Sequence, residues 1–232
     1  MAFDWATQGA QFTGTLKIGS MGAVGNNSPV SQDIVTNNAT VKFVDNLGQQ
    51  AQLAEASSGG RVQVSKAGDS PANAYVLPWT SNYASKTRLA AASTMFVTPD
   101  LNGCAIFVSG ELAGPTVVHI NSKADILDKG EPPFLPLGKG ATTKEINSAA
   151  AAYGREMNAF KTSYKNPMWD ALYQAMAIKL VGAGLIPKDN LKLWLPTDYL
   201  GPDVTTAAVF GTFNGTWSFF CNVNGKTTKF WP

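Results

Sequence analysis

Histidine and cysteine are scarce in this chain: His119 is the only histidine, and Cys104 and Cys221 are the only cysteines, among 232 residues. Two cysteines are too few for a disulfide scaffold, so free thiols are expected, with a single Cys104–Cys221 bridge as the alternative. One imidazole and two distant thiols, without HExxH or CxxC, leave too few soft ligands for zinc, and neither metal nor cofactor is expected. Charge is sparse as well: 15% of residues are charged, and 18 Lys+Arg against 16 Asp+Glu give a formal net charge of +2. That balance supplies no basic field, and no Lys/Arg stripe is interleaved with aromatics, so nucleic acid is not an expected partner. No apolar run reaches the ~18 residues of a bilayer-spanning helix. The opening MAFDWATQGAQF carries an acid at Asp4, no basic n-region and no continuous apolar stretch, and is not expected to act as a Sec leader.

What the chain does contain is 44% hydrophobic residues, 22 Gly and 13 Pro, a composition of short elements separated by turns. FTGTLKI (Phe12 to Ile18), VKFV (Val41 to Val44) and RVQV (Arg61 to Val64) alternate as strands do. Near the end, TTAAVFGTF, TWSFFCNV and TTKFW are strand patterns joined by Asn214-Gly215 and Asn224-Gly225, which favour hairpins. The glycines at 19, 22 and 25, and PLGKGATT at 136–143, lack the GK[ST] context of a phosphate cradle and are read as loops. Thr142 and Glu145 form a capping box ahead of Ile146, Ala149, Ala150, Tyr153, Met157 and Phe160 at helical spacing. Asn166-Pro167 ends or interrupts that helix, and Trp169, Leu172, Tyr173, Met176 and Leu180 mark a second one, stopped by Gly182 and Gly184. The expectation is an α+β fold in one domain, 1–232: a β-sandwich of mixed, mainly antiparallel sheets, with helices at about 142–163 and 168–181 packed outside.

The scarce residues meet in one stretch, TPDLNGCAIFVSGELAGPTVVHI, which runs from Thr98 through Cys104 to His119 and Ile120. CAIFV and TVVHI read as two strands, with SGELAGP as the turn-bearing connection, and a hairpin of that kind could bring the thiol beside the imidazole. A thiolate is a strong nucleophile, and an imidazole is the usual acceptor of its proton. The alternative is a satisfied core histidine beside a buried cysteine, and the spacing alone leaves both readings open. Cys221, within WSFFCNV, is expected to be buried and inert. No GxSxG elbow supports a serine triad, and no two carboxylates stand out as a glycosidase pair.

Several residues around that stretch form a longer pattern: Leu77-Pro78-Trp79, Phe96-x-Thr98, Leu101-Asn102-Gly103-Cys104, Phe107, Pro115 and His119-Ile120. The run from Leu77 to Ser122, about a fifth of the chain, resembles the catalytic region of the Burkholderia lethal factor-like glutamine deamidases, whose fold is that of the cytotoxic necrotizing factor catalytic domain. Two departures are visible: Asn102 stands where the family's Leu-Ser-Gly-Cys has serine, and the connection from nucleophile to histidine is a few residues longer. The resemblance implies Cys104 as nucleophile, His119 as general base and acid, and Thr98 as the residue that positions the histidine. Backbone N–H groups near Gly103 and Cys104 are candidate oxyanion donors, because glycine permits close approach.

By the same resemblance the protein would be a bacterial toxin, delivered without a Sec leader and acting as a monomer in the host cytosol. It would convert one glutamine of a host protein to glutamate. The implied target is a translation-initiation RNA helicase, or, by likeness to the necrotizing factors, a Rho-family GTPase, with transglutamination if an amine replaces water. A Cys-His protease or thioesterase and a non-enzymatic β-rich binding module are the competing readings of the same residues.

Overall fold

The computed structural model describes residues 15–18, 32–36, 39–45, 48–58, 61–68, 73–122, 131–132, 140–201, 204 and 206–232. Expectations placed on Phe12 to Gly14, on the glycines at 19, 22 and 25, and on residues 136–139 lie outside them.

Alternating apolar residues give two sheets. One has eight strands in the order β1 (Thr15–Ile18), β5 (Arg61–Gly68), β4 (Gln49–Ser58), β6 (Ala74–Val76), β8 (Met95–Leu101), β12 (Ala207–Asn214), β13 (Thr216–Val223) and β14 (Lys226–Trp231). The other has six, in the order β11 (Lys192–Trp194), β9 (Ala105–Glu111), β10 (Gly114–Asn121), β7 (Tyr83–Arg88), β3 (Thr40–Val44) and β2 (Gln32–Val35). Among the described residues β1–β5, β3–β7 and β6–β8 pair in parallel and the other pairs are antiparallel, so the sheets are mixed and mainly antiparallel as expected. The turn from β13 to β14 has both Asn224 (φ 48°) and Gly225 (φ 85°) left-handed, the geometry that an Asn-Gly hairpin selects.

The sheets close face to face. Between them lie Ile106, Val108 and Val117 from the six-stranded sheet, and Phe96, Leu101, Val209, Trp217 and Phe219 from the eight-stranded one. Cys221 belongs to this layer as a free thiol, buried as expected, its pKa pushed up to about 12 by burial. The outer face of the six-stranded sheet, with Ala105, Phe107, Val118 and Ile120, is covered by helix α2 (Asn166–Gly182) through Leu172, Tyr173, Met176, Ala177 and Leu180. α2 ends as its glycines suggest, with Gly184 at φ 69° and the Leu185 N–H bonded back to Leu180 O at 2.9 Å.

One helix detail differs from expectation, and the structure decides between the two outcomes expected at another. The capping box at Thr142 and Glu145 starts α1 (Thr143–Phe160), yet no residue of α1 is buried and Ile146 is half exposed, so its apolar stripe is not a core face of the described structure. At Asn166-Pro167 the helix is interrupted rather than ended. A π-turn, Lys161–Lys165, carries α1 into α2, with the Asn166 N–H bonded to Lys161 O. Pro167 lacks an N–H and would clash in an uninterrupted α-helix; one widened turn just ahead of it absorbs the conflict without ending the helix.

Candidate active site

The site forms where the chain passes from one sheet to the other. β8 belongs to the eight-stranded sheet and β9 to the six-stranded one, so residues 102–104 make the crossing. Gly103 takes φ 78°, and a Cβ there would fall 2.6 Å from Trp169 Cη2 on α2. Both the backbone hand and the space therefore require glycine. Tyr173 donates its hydroxyl to Gly103 O at 2.7 Å, and Tyr199, on the short helix α3 (Pro196–Tyr199), donates to Cys104 O at 2.8 Å. α3 is itself tied to α2, since Thr197 donates through its N–H and its hydroxyl to the Asp170 carboxylate. Two buried phenols thus hold the carbonyls of Gly103 and Cys104. Asn102 is exposed, its side chain facing solvent.

β9 and β10 form a tighter hairpin than SGELAGP suggested: strand pairing continues to Glu111↔Gly114, leaving residues 112–113 as the turn. Register then decides who meets whom. His119 pairs with Ile106 and Ile120 with Ala105, so one further step sets Asn121 opposite Cys104. Partners across an antiparallel pair share a face, so Cys104, His119 and Asn121 all point between the sheets, with His119 diagonal to Cys104. The thiol's side-chain hydrogen-bond donor is accordingly Asn121, whose Nδ2 lies 3.0 Å from Sγ.

Thr98 comes to the imidazole from the opposite sheet. Its Oγ1 is 2.6 Å from His119 Nδ1 and donates to Leu77 O at 2.8 Å, all three groups buried. A hydroxyl has one proton, and Thr98 directs it to Leu77 O. Toward His119 the oxygen can only accept, so Nδ1 carries the ring proton and Nε2 bears the free lone pair. Nε2 is buried and has no hydrogen-bond partner among the described residues. Trp79, part of the Leu77-Pro78-Trp79 run, stacks on the ring at 6.3 Å between centroids with 26° between planes, and stands 36% exposed at the edge of the site.

Of the residues singled out in the sequence, Thr98 and His119 are joined directly, Cys104 shares the sheet face of His119, and Gly103 shapes the turn. Sγ and Nε2 are not joined by a hydrogen bond. Asn121, Tyr173 and Tyr199 were not singled out as site residues. Period-2 alternation from His119 pointed to Asn121, whereas the tyrosine contacts depend on packing between distant segments and left no local signal.

Burial sets the protonation states. It pushes the Cys104 thiol up, opposed by the hydrogen bonds from Asn121 and the Asn102 backbone, and pushes His119 down to about 3. The resting pair is a neutral thiol and a neutral imidazole. An unfolded imidazole takes up a proton below its ordinary 6.5, whereas the folded one refuses it until about pH 3. Stability should therefore fall as pH drops through that window, by about 1.4 kcal/mol per pH unit. The urea unfolding free energy of His119→Gln, which cannot titrate, should show a shallower dependence by up to one proton.

Thr98→Val keeps the shape and leaves both the His119 Nδ1–H and the Leu77 carbonyl unpartnered in the interior. At roughly 1–3 kcal/mol for each orphaned group, a loss of about 3 kcal/mol is expected by chemical denaturation, with Thr98→Ser close to wild type.

No family model matches the chain, and no curated protein matches it. Among the described residues no group of His, Cys, Asp and Glu could hold a metal ion, and no helix is long and apolar enough to cross a membrane.

Proposed function

We propose that the protein is a Cys-His glutamine deamidase that acts on a protein substrate. The observation that carries this reading is the hydrogen-bonded chain Leu77 O–Thr98–His119, which fixes the tautomer leaving Nε2 as a base on the face that holds Cys104. Nε2 takes the thiol proton as Sγ attacks the side-chain carboxamide carbon, and the C=O electron pair moves to oxygen. The Cys104 backbone N–H is the donor proposed for that oxyanion, since the Gly103 N–H already faces the Tyr199 hydroxyl. The imidazolium returns its proton to the leaving nitrogen, ammonia departs from a thioester, and water activated by the same imidazole releases glutamate and the thiol. The resemblance over Leu77 to Ser122 supplies the substrate class, a glutamine of a host translation-initiation helicase, with a Rho-family GTPase as the second target and a delivered bacterial toxin as the biological role. Intact-mass analysis of candidate targets tests it: conversion adds about one dalton, and Cys104→Ala should add none. Identical target masses with both proteins would sink the reading.

Burial favours a second reading, in which Cys104, 2% exposed, and His119, 0% exposed, are packed residues of a β-rich binding module. Under that reading no target changes mass and no peptide is cleaved, while cleavage of a target would instead indicate a Cys-His protease.

A further inference from the structure

Asn121 touches the sulfur and has no part in the mechanism so far. It lies at the end of β10, on the face shared by Val117 and His119, and its Nδ2–H donates to Cys104 Sγ at 3.0 Å. Sulfur in a thiol is a weak acceptor, so in the resting state this bond contributes little. Once sulfur carries charge the same contact becomes a charge-assisted hydrogen bond, roughly twice as strong as a neutral one. A donor that binds the ionised sulfur better than the neutral one lowers the barrier rather than the ground state.

The other side chains around the sulfur are committed elsewhere. The hydroxyls of Tyr173 on α2 and Tyr199 on α3 donate to the carbonyls of Gly103 and Cys104. His119 on β10 presents a lone pair at Nε2, and its Nδ1–H faces Thr98. Burial opposes the sulfur's charge, whereas the Asn121 side chain and the Asn102 backbone favour it.

We propose that Asn121 is a catalytic residue whose carboxamide N–H stabilises the charge on Cys104 Sγ while the thiol proton passes to His119 Nε2. The S–H bond breaks, its electron pair stays on sulfur and then forms the C–S bond, and the negative charge moves on to the substrate oxygen. This role rests on Cys104 being the nucleophile of the proposed reaction.

The test follows carbamidomethylation of Cys104 by iodoacetamide across pH 6–10, read on the Cys104 peptide so that Cys221 does not contribute. Asn121→Ala should move the midpoint up by about one pH unit, tenfold less thiolate at a given pH below it. Asn121→Asp keeps the size and replaces the donor by a carboxylate, and should move it at least as far. Deamidation of a responsive target should slow in both variants with KM little changed. Profiles that superimpose on wild type would overturn the proposal. So would loss of the near-UV circular dichroism spectrum in both variants, which would make Asn121 a structural residue; if only Asn121→Ala unfolds, Asn121→Asp decides. The thiol measurement needs no glutamine substrate, which separates the two readings. A shifted profile without deamidation of any target keeps the Asn121 stabilisation of the Cys104 thiolate and ends the deamidase reading, and with it the catalytic role; full-rate deamidation by Asn121→Ala keeps the deamidase reading and overturns the Asn121 role.

Discussion

Under the proposed mechanism, Cys104→Ala should abolish deamidation, lowering kcat/KM by about 10⁴-fold or more, while the protein stays folded. Loss of a nucleophile removes the covalent route altogether, and what survives in such variants is the modest catalysis of binding and oxyanion contacts. The structural cost is small by comparison. Cys104 packs in the layer between the sheets, so exchanging its sulfur for hydrogen leaves a void of about one heavy atom, at about 1 kcal/mol. For a chain of this length that is a Tm decrease of about 2–4 °C. Melting curves and target mass spectra on the same preparations separate the two effects. A variant that retains even a tenth of wild-type turnover would exclude Cys104 as the nucleophile.

Gly103→Ala should produce the largest loss of stability among single-methyl additions at the site. Alanine at φ 78° costs about 1–2 kcal/mol in backbone strain. The added methyl would also sit 2.6 Å from the Trp169 ring, and overpacking of that kind costs about 1–3 kcal/mol. Together, about 3 kcal/mol corresponds to a Tm decrease of about 10 °C, measurable by differential scanning calorimetry. Relief should come from the other side of the contact: Trp169→Leu in the Gly103→Ala background should recover part of the loss, because the packing component disappears and the backbone component remains. Equal melting temperatures for Gly103→Ala and wild type would mean that the turn is not held as described.

The fold was largely legible because its signals are local. Alternation marked β3, β5 and β12 to β14, the Asn-Gly pairs marked their hairpins, and Thr142 with Glu145 marked the start of α1. What could not be read was anything set by register or by contact between distant segments. One residue of slip between β9 and β10 would exchange Asn121 and Ile120 opposite Cys104, and the sequence of the connection did not reveal that residues 112–113 alone turn. Pro167 suggested a break because proline removes a helix hydrogen bond, and the π-turn that accommodates it leaves no compositional mark. Thr98 and His119 could be named from the pattern around them, but the direction of their hydrogen bond depends on the Leu77 carbonyl, which only tertiary structure brings to Thr98.

Thr98 and His119 sit on opposite layers of the sandwich, and the bond between them spans the interface. The proton position on the imidazole is thus set by the alignment of one layer over the other rather than by any local loop. A displacement of about 1 Å between the layers would break that bond while most backbone ladders stayed intact. Substitutions deep in the shared layer, at Trp217 or Phe219 for example, should therefore act as remote controls on the proposed acid–base chemistry, releasing the Thr98–His119 bond at denaturant concentrations where the sheets themselves still persist.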